Sequence, residues 1–370
     1  MKYQVCIIGG GLAGLALSID LQKRGIQVLV IEKGNYPRHK VCGEYISMES
    51  FNYLNEICPK LVDWRLPRMS QFKLTSTSVL EFKTNLDLGG FGISRYLLEE
   101  LLFMEAQKLG VVFMLHTKAL SIMEHENNYQ INTGSGTVSA DIVCNATGRK
   151  SNVKSKVENG FTNSTNYIGF KYHVILKRDI NFIEIHNFPG GYCGISAIED
   201  DKTCLCYIVN AKKLKQVNNS IAELEKTVLN QNKHLKKIFN AADFLFKEPL
   251  SISGINFNIK KPVDDDTFYL GDAAGCIAPV TGNGMSMALR SASVLAKHLD
   301  TYFNENVSKT ELRDNYANFW DHEFATRVKH SRYFQKLSEY PVFSNVSIGL
   351  FKTFPSLAGM AIGQTHGQPF

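Results

Sequence analysis

The chain has no run approaching twenty uncharged apolar residues among its 370, which excludes a simple membrane-spanning helix. It also lacks a signal-peptide pattern. The opening "MKYQVCIIGGG" has an apolar run of only about four residues before its glycines and no small-residue cleavage site, so a cytoplasmic protein is expected. Its eight cysteines follow no regular spacing, which fits reduced thiols and excludes a disulfide framework. There is no basic block: the excess of six positive charges is spread over residues such as Arg24, Lys33, Arg38 and Lys171. No nucleic-acid partner is expected from that distribution, and an anionic ligand or a membrane surface suits it better. Metal-ligand spacing is missing too. Cys204 and Cys206 form a lone Cys-x-Cys on one strand face, and His322 and His330 read as solvated positions on a polar helix, so no metal is expected. "GNGMSMA" ends in Ala288 and so does not make a nucleophile elbow. Asp264 to Asp266 read as an exposed turn.

What is present begins with size. A chain of 370 residues exceeds one ordinary core and suits two interlocked domains or one large α/β domain with an insertion. "YQVCIIGGGLAGLALSIDLQKRGIQVLVIEK" reads as buried strand, glycine turn, helix and second strand. Gly9, Gly11 and Gly14 fit G-x-G-x-x-G: a tight turn, a close backbone approach to a pyrophosphate, and close helix packing on the strand. The helix then turns unpaired N–H groups toward the phosphates. Glu32, at the end of the second strand, is placed to accept ribose hydroxyls and to repel a 2′-phosphate. This unit predicts an adenosine-diphosphate site, without distinguishing NAD from FAD.

Far downstream, "DDDTFYLGDAAGCIAPVTGNGMSMALRSASVLAKHL" repeats the order strand, turn, glycine loop, long helix. Asp272 closes the strand, Pro279 stiffens the loop, and Gly282 and Gly284 open a second helix N-terminus. The pairing resembles the FAD-dependent oxidoreductases of the aromatic-hydroxylase (p-hydroxybenzoate hydroxylase-like), halogenase and geranylgeranyl-reductase superfamily. Three further stretches follow that family's order. "GISRYLLEELLFMEAQKLGVVF" resembles its arginine-led helix, with Arg95 at the start. "SADIVCNATGRKSNV" resembles its Ala-Asp-x-x-x-x-Ala-Asp-Gly segment, with Thr147 in place of the second Asp before Gly148. "EKGNYPRHKVCGEYIS" is similar to the Pro-Arg-x-Lys-x-Cys-Gly loop of the reductases and to the Gly-Glu pair of the halogenases.

The resemblance implies a Rossmann-like FAD-binding domain of the glutathione reductase type, hydroxylase subgroup, with an inserted antiparallel substrate sheet and a helical C-terminus. It assigns 1–67, 93–160 and 261–305 to FAD binding, 68–92 and 161–260 to the substrate sheet, and 306–370 to the C-terminal helices. FAD contacts are implied for Gly9, Gly11, Ala13, Gly14, Glu32, Lys33, Arg38, Cys42, Gly43, Arg95, Thr147, Gly148, Gly271, Asp272, Pro279, Gly282, Gly284 and Met285. NAD(P)H is implied as a transient reductant.

The strands expected at "YIGFKYHVIL", "INFIEIHNF", "GYCGISAI", "KTCLCYIV" and "LSISGINFNI" would wall a substrate pocket over the flavin. Their "PGGYCGISAIEDD" keeps Tyr192 but lacks the tryptophan motifs of both reductases and halogenases. Cys42, Glu44 and Tyr192 are the catalytic candidates that the resemblance names, and Lys40 is the only lysine it offers for halogenation. The activity expected is an NAD(P)H-dependent monooxygenase acting on an aromatic or lipid-like molecule. The alternatives are an alkene reductase similar to geranylgeranyl reductases, then a halogenase, then a binding-only protein on the same fold. The apolar, proline-broken segment after residue 340, with Tyr340, Phe343, Phe351 and Phe354, is expected to pack across the FAD domain, with lining of an exit for a greasy substrate or contact with a membrane surface as the alternatives.

Overall fold

A computed structural model of the chain describes residues 2–126, 128–149, 166–255 and 261–370. Two sheets organise it. The first has eight strands, with Val263–Asp264, Thr267–Tyr269, Thr137–Asn145, Lys2–Ile8, Val28–Ile31 and Val112–Met114 as neighbours in that order. Lys2–Ile8 pairs in parallel with both Val28–Ile31 and Thr137–Asn145. Buried on both faces, such strands need unbroken apolar sequence, and "VCII" and "VLVI" supply it. The helices Leu12–Lys23, Arg95–Lys108 and Gly284–Asn304 pack together against this sheet around Leu15, Ile19, Leu98, Leu102, Leu289 and Leu295. The strands Ser121–His125 and Asn128–Asn132 add an antiparallel meander.

The second sheet has nine strands, and its residues line a cavity together with Ile8, Ile31, Ala146 and Leu270 at the carboxyl ends of the first sheet's strands. Tyr167–Ile175, Lys202–Asn210, Gly191–Ala197 and Phe182–Phe188 follow one another antiparallel. Arg68–Thr75 joins Phe182–Phe188 in the sheet's one parallel pairing among the described residues, and Glu81–Gly92 follows antiparallel. Period-two alternation puts Phe72 and Leu74, then Ile183 and Ile185, on one face. Tyr45–Ser47 pairs with Gly90–Gly92, so this short piece of the first sequence segment belongs to the larger sheet. The boundaries drawn at 160 and 260 lie outside the described residues, as do Lys150 to Val153 of the Ala-Thr-Gly stretch.

The C-terminal segment is helical: Lys309–Trp320, Thr326–Ser338, Pro341–Thr353 and Pro355–Gly363. Proline at the first position starts each of the last two helices, where no N–H partner is lost. These two helices pack not on the FAD domain, as expected, but on the substrate sheet at Glu81–Gly92, where Ile348 and Ala358 are buried with the apolar side chains Leu74 and Phe82. A second sequence reading is corrected in part. Asp265 and Asp266 do form a turn and Asp265 is exposed, but Asp266 is half-buried, paired with Arg313 at 2.5 Å and Lys309 at 3.4 Å, and it accepts from Tyr129. Those partners lie far off in sequence, which makes the burial of the carboxylate tolerable.

Candidate functional site

Between the two sheets lies a cavity of about 1090 Å³, at the top of the range typical of ligand sites. Every residue expected to touch the cofactor lines it except Gly14, and so do Cys42, Glu44 and Tyr192. Gly14 acts from behind. A Cβ there would stand 2.0 Å from the carbonyl oxygen of Gly9, so the residue allows the helix to sit directly on the strand. Gly9 has φ +102°, and a side chain on it would strike the Ala146 carbonyl at 2.6 Å.

One end of the cavity is an anion cradle. Gly11 begins the helix Leu12–Lys23 and Asn283 the helix Gly284–Asn304, and neither helix start is closed by a side-chain cap. Lys40 Nζ stands 3.3 Å from the position a Gly11 Cβ would occupy. Arg38 binds Glu32 at 2.6 Å, and Arg38, Lys40 and Arg95 converge on the fully buried Glu99. Three cations against two carboxylates leave positive charge in excess, and the Arg95 Nε makes no hydrogen bond. Burial pushes the Glu32 carboxyl up, but Arg38 and the Gly34 and Gly10 N–H groups outweigh it and hold it at about 2. Burial pulls Lys40 down to about 8. Glu99 was missed in the sequence, although Arg95 and Glu99 stand one helical turn apart, a readable pairing.

Cys42 lines the cavity. Its Sγ lies 3.7 Å from the sulfur of Met285 and receives the Glu44 N–H at 3.5 Å, with the Arg95 guanidinium against it. The neighbouring Glu44 is fully buried at φ 55° and its carboxylate is saturated: Oε1 accepts from Lys171 Nζ at 2.6 Å and from the Arg95 N–H at 2.8 Å, and Oε2 meets His173 Nε2 at 2.6 Å. Burial pushes this carboxyl up, and His173 and Lys171 more than reverse the effect. Glu44, His173 and Cys204 are close enough to hold a cation, yet the Lys171 ammonium already fills that electrostatic role. Lys171 is named in the sequence only among the scattered positive charges and His173 is not named, though charged residues inside the apolar run "YIGFKYHVIL" are a usable signal.

The other end of the cavity is apolar. Phe72, Leu74, Phe82, Ile183 and Ile185 come from the large sheet, and Phe343, Leu350, Phe351 and Ala361 from the last two helices. Phe343 and Phe351 therefore face inward, whereas Tyr340 and Phe354 are exposed. Tyr192 is buried between the two ends, and its hydroxyl is held well above its ordinary range by burial.

A family described as "FAD binding domain" matches residues 2–319. Conditioned medium factor receptor 1 of Dictyostelium discoideum is 24% identical, the match covering 95% of this chain and 74% of that protein. Digeranylgeranylglycerophospholipid reductase 3 of Methanosphaera stadtmanae is 23% identical over 89% of this chain and 85% of its own. Among solved structures, the flavin-dependent brominase Bmp2 superposes with a TM-score of 0.79 at 19% identity, covering 99% of this chain and 93% of that one. The site fits the cofactor: two open helix starts and an unsatisfied arginine for a pyrophosphate, a strand-end carboxylate for a ribose, and room beyond them for a ring system and a second molecule. The chain belongs to the FAD-binding family and is an FAD-dependent oxidoreductase.

Proposed function

We propose that this protein reduces a carbon–carbon double bond in a long, apolar, lipid-like substrate, with NAD(P)H as the transient electron source. The observation that carries the reading is the Cys42 thiol, which lines the same continuous cavity as the apolar wall and has Arg95 of the anion cradle beside it. Once reduced by NAD(P)H, a bound FAD would supply the two-electron chemistry, a hydride equivalent for one alkene carbon. The other carbon takes the Cys42 thiol proton, and the thiolate left behind is stabilised by the adjacent Arg95 until water reprotonates it. The apolar wall holds the chain and keeps water from the reacting carbons. Glu44 is occupied by Lys171 and His173 and serves to fix the loop that presents Cys42. Lys40 lies at the phosphate end of the site and is read as a phosphate contact, not as a halogenation lysine.

Oxygen insertion is the second reading. It needs the same water-excluding cavity, which favours it equally, and leaves Cys42 as lining. The FAD-loaded protein would be incubated with NADPH or NADH and a digeranylgeranyl glycerophospholipid, under nitrogen and under air, and the lipid weighed by mass spectrometry. A gain of two hydrogens per double bond under nitrogen supports the reductase. A gain of one oxygen, in air only, supports the monooxygenase. An unchanged lipid in both overturns a lipid substrate of this kind.

A further inference from the structure

The last three helices carry a surface that the catalytic reading leaves unused. Residues 326–370 contain Arg327, Lys329, Arg332, Lys336 and Lys352 against a single acid, Glu339, so this segment holds four of the chain's six excess positive charges. Glu339 is turned inward, accepting from Asn210 at 2.9 Å and from Tyr167. Lys329, Arg332, Lys336 and Lys352 are exposed.

Among these cations lies an apolar face that no other described residue covers. Pro341–Thr353 exposes Val342 (73%), Val346 (53%) and Leu350 (47%) at four-residue spacing, while Ser344 and Ile348 on its other side are buried. The stripe continues through Phe354 (53%) at the elbow to Met360 (61%) on Pro355–Gly363. Neither helix alone is long and apolar enough to span a bilayer. Together they pass that test but are bent by 114°, and each has its inner side in the core or the cavity.

We propose that this face docks the protein on an anionic lipid bilayer, with the exposed aliphatic side chains in the headgroup boundary and the lysines and arginines on the lipid phosphates. Val346 and Leu350 belong both to the exposed stripe and to the cavity wall, so the docked surface adjoins the apolar end of the site. The docking rests on the surface alone and stands whichever reaction the site performs.

The test is sedimentation of the FAD-loaded protein with vesicles of phosphatidylcholine alone and of equal parts phosphatidylcholine and phosphatidylglycerol. Binding to the anionic vesicles is expected, weakening with salt. A V342E/M360E variant, at positions outside the cavity, should lose about tenfold or more of that binding while keeping its flavin. K336E/K352E should lose binding to the anionic vesicles and show no gain on neutral ones. Wild-type protein that ignores both vesicles, or variants that bind as wild type does, would overturn the proposal. So would a dimer that V342E/M360E dissociates in the absence of vesicle binding, because a second copy would then be the occupant.

Discussion

At the scale of single residues, Lys40 is the charge most open to adjustment by a ligand. Burial pulls it from the ordinary 10.5 to about 8, Arg95 and Arg38 push the same way, and Glu99 opposes them. In the empty protein, between about 8 and 10.5, the folded state holds fewer protons than the unfolded state, so this residue's contribution to stability rises with pH across that window. A pyrophosphate at Gly11 favours the protonated amine and reverses the trend for binding. FAD affinity, followed by flavin fluorescence, should therefore fall about tenfold for each pH unit by which the ligand raises this group, beginning above about 8. Lys40→Arg keeps its charge and should flatten that profile; an unchanged slope would remove Lys40 from the phosphate site. Glu32 changes stability with pH in the same sense as Lys40, but in an acid window. Held at about 2, it contributes stability above the ordinary carboxyl range that is lost as pH falls through about 2. Cys42→Ser should lower alkene reduction by about 10²-fold or more with the flavin retained. Full activity in that variant would mean that water supplies the proton.

At the scale of elements, the strand Tyr167–Ile175 and the loop before Tyr45–Ser47 are held together by charge. Lys171 and His173, two residues apart and so on one strand face, both reach Glu44. Lys171→Met leaves the Glu44 carboxylate fully buried with one partner fewer, which should cost about 3–5 kcal/mol in denaturant unfolding. Adding Glu44→Gln to it should recover part of the loss; a double variant as unstable as the single would show that the pair is not coupled. The same cluster shows where sequence reading stopped. The glycine turn, Glu32 and the helix after Gly284 were legible because their logic is local, a few residues around a strand end. Glu44 and Lys171 are 127 positions apart, and Arg38 and Lys40 reach Glu99 from a separate segment, so these pairings exist only in the folded chain. Likewise, the run "INFIEIHNF" announces a strand but carries nothing to show that it pairs in parallel with Arg68–Thr75.

For the whole molecule, the question is what the second sheet and the last helices add to a dinucleotide-binding fold. The large sheet supplies one wall, and Pro341–Thr353 with Pro355–Gly363 closes the far end, so the cavity's length is set by elements about 300 residues from the glycine turn. Ala361 lies on that far wall. Replacing it with tryptophan puts an indole into open cavity, which limits the overpacking cost that a filled core would impose. The flavin end is untouched, so Ala361→Trp should bind FAD as before and turn over short alkenes at the wild-type rate. Long-chain substrates would lose the space for their distal carbons, and their kcat/KM should drop in proportion to chain length beyond that point. Equal losses for short and long substrates would mean that the helix had shifted. No loss for either would mean that the substrate does not run along this wall at all.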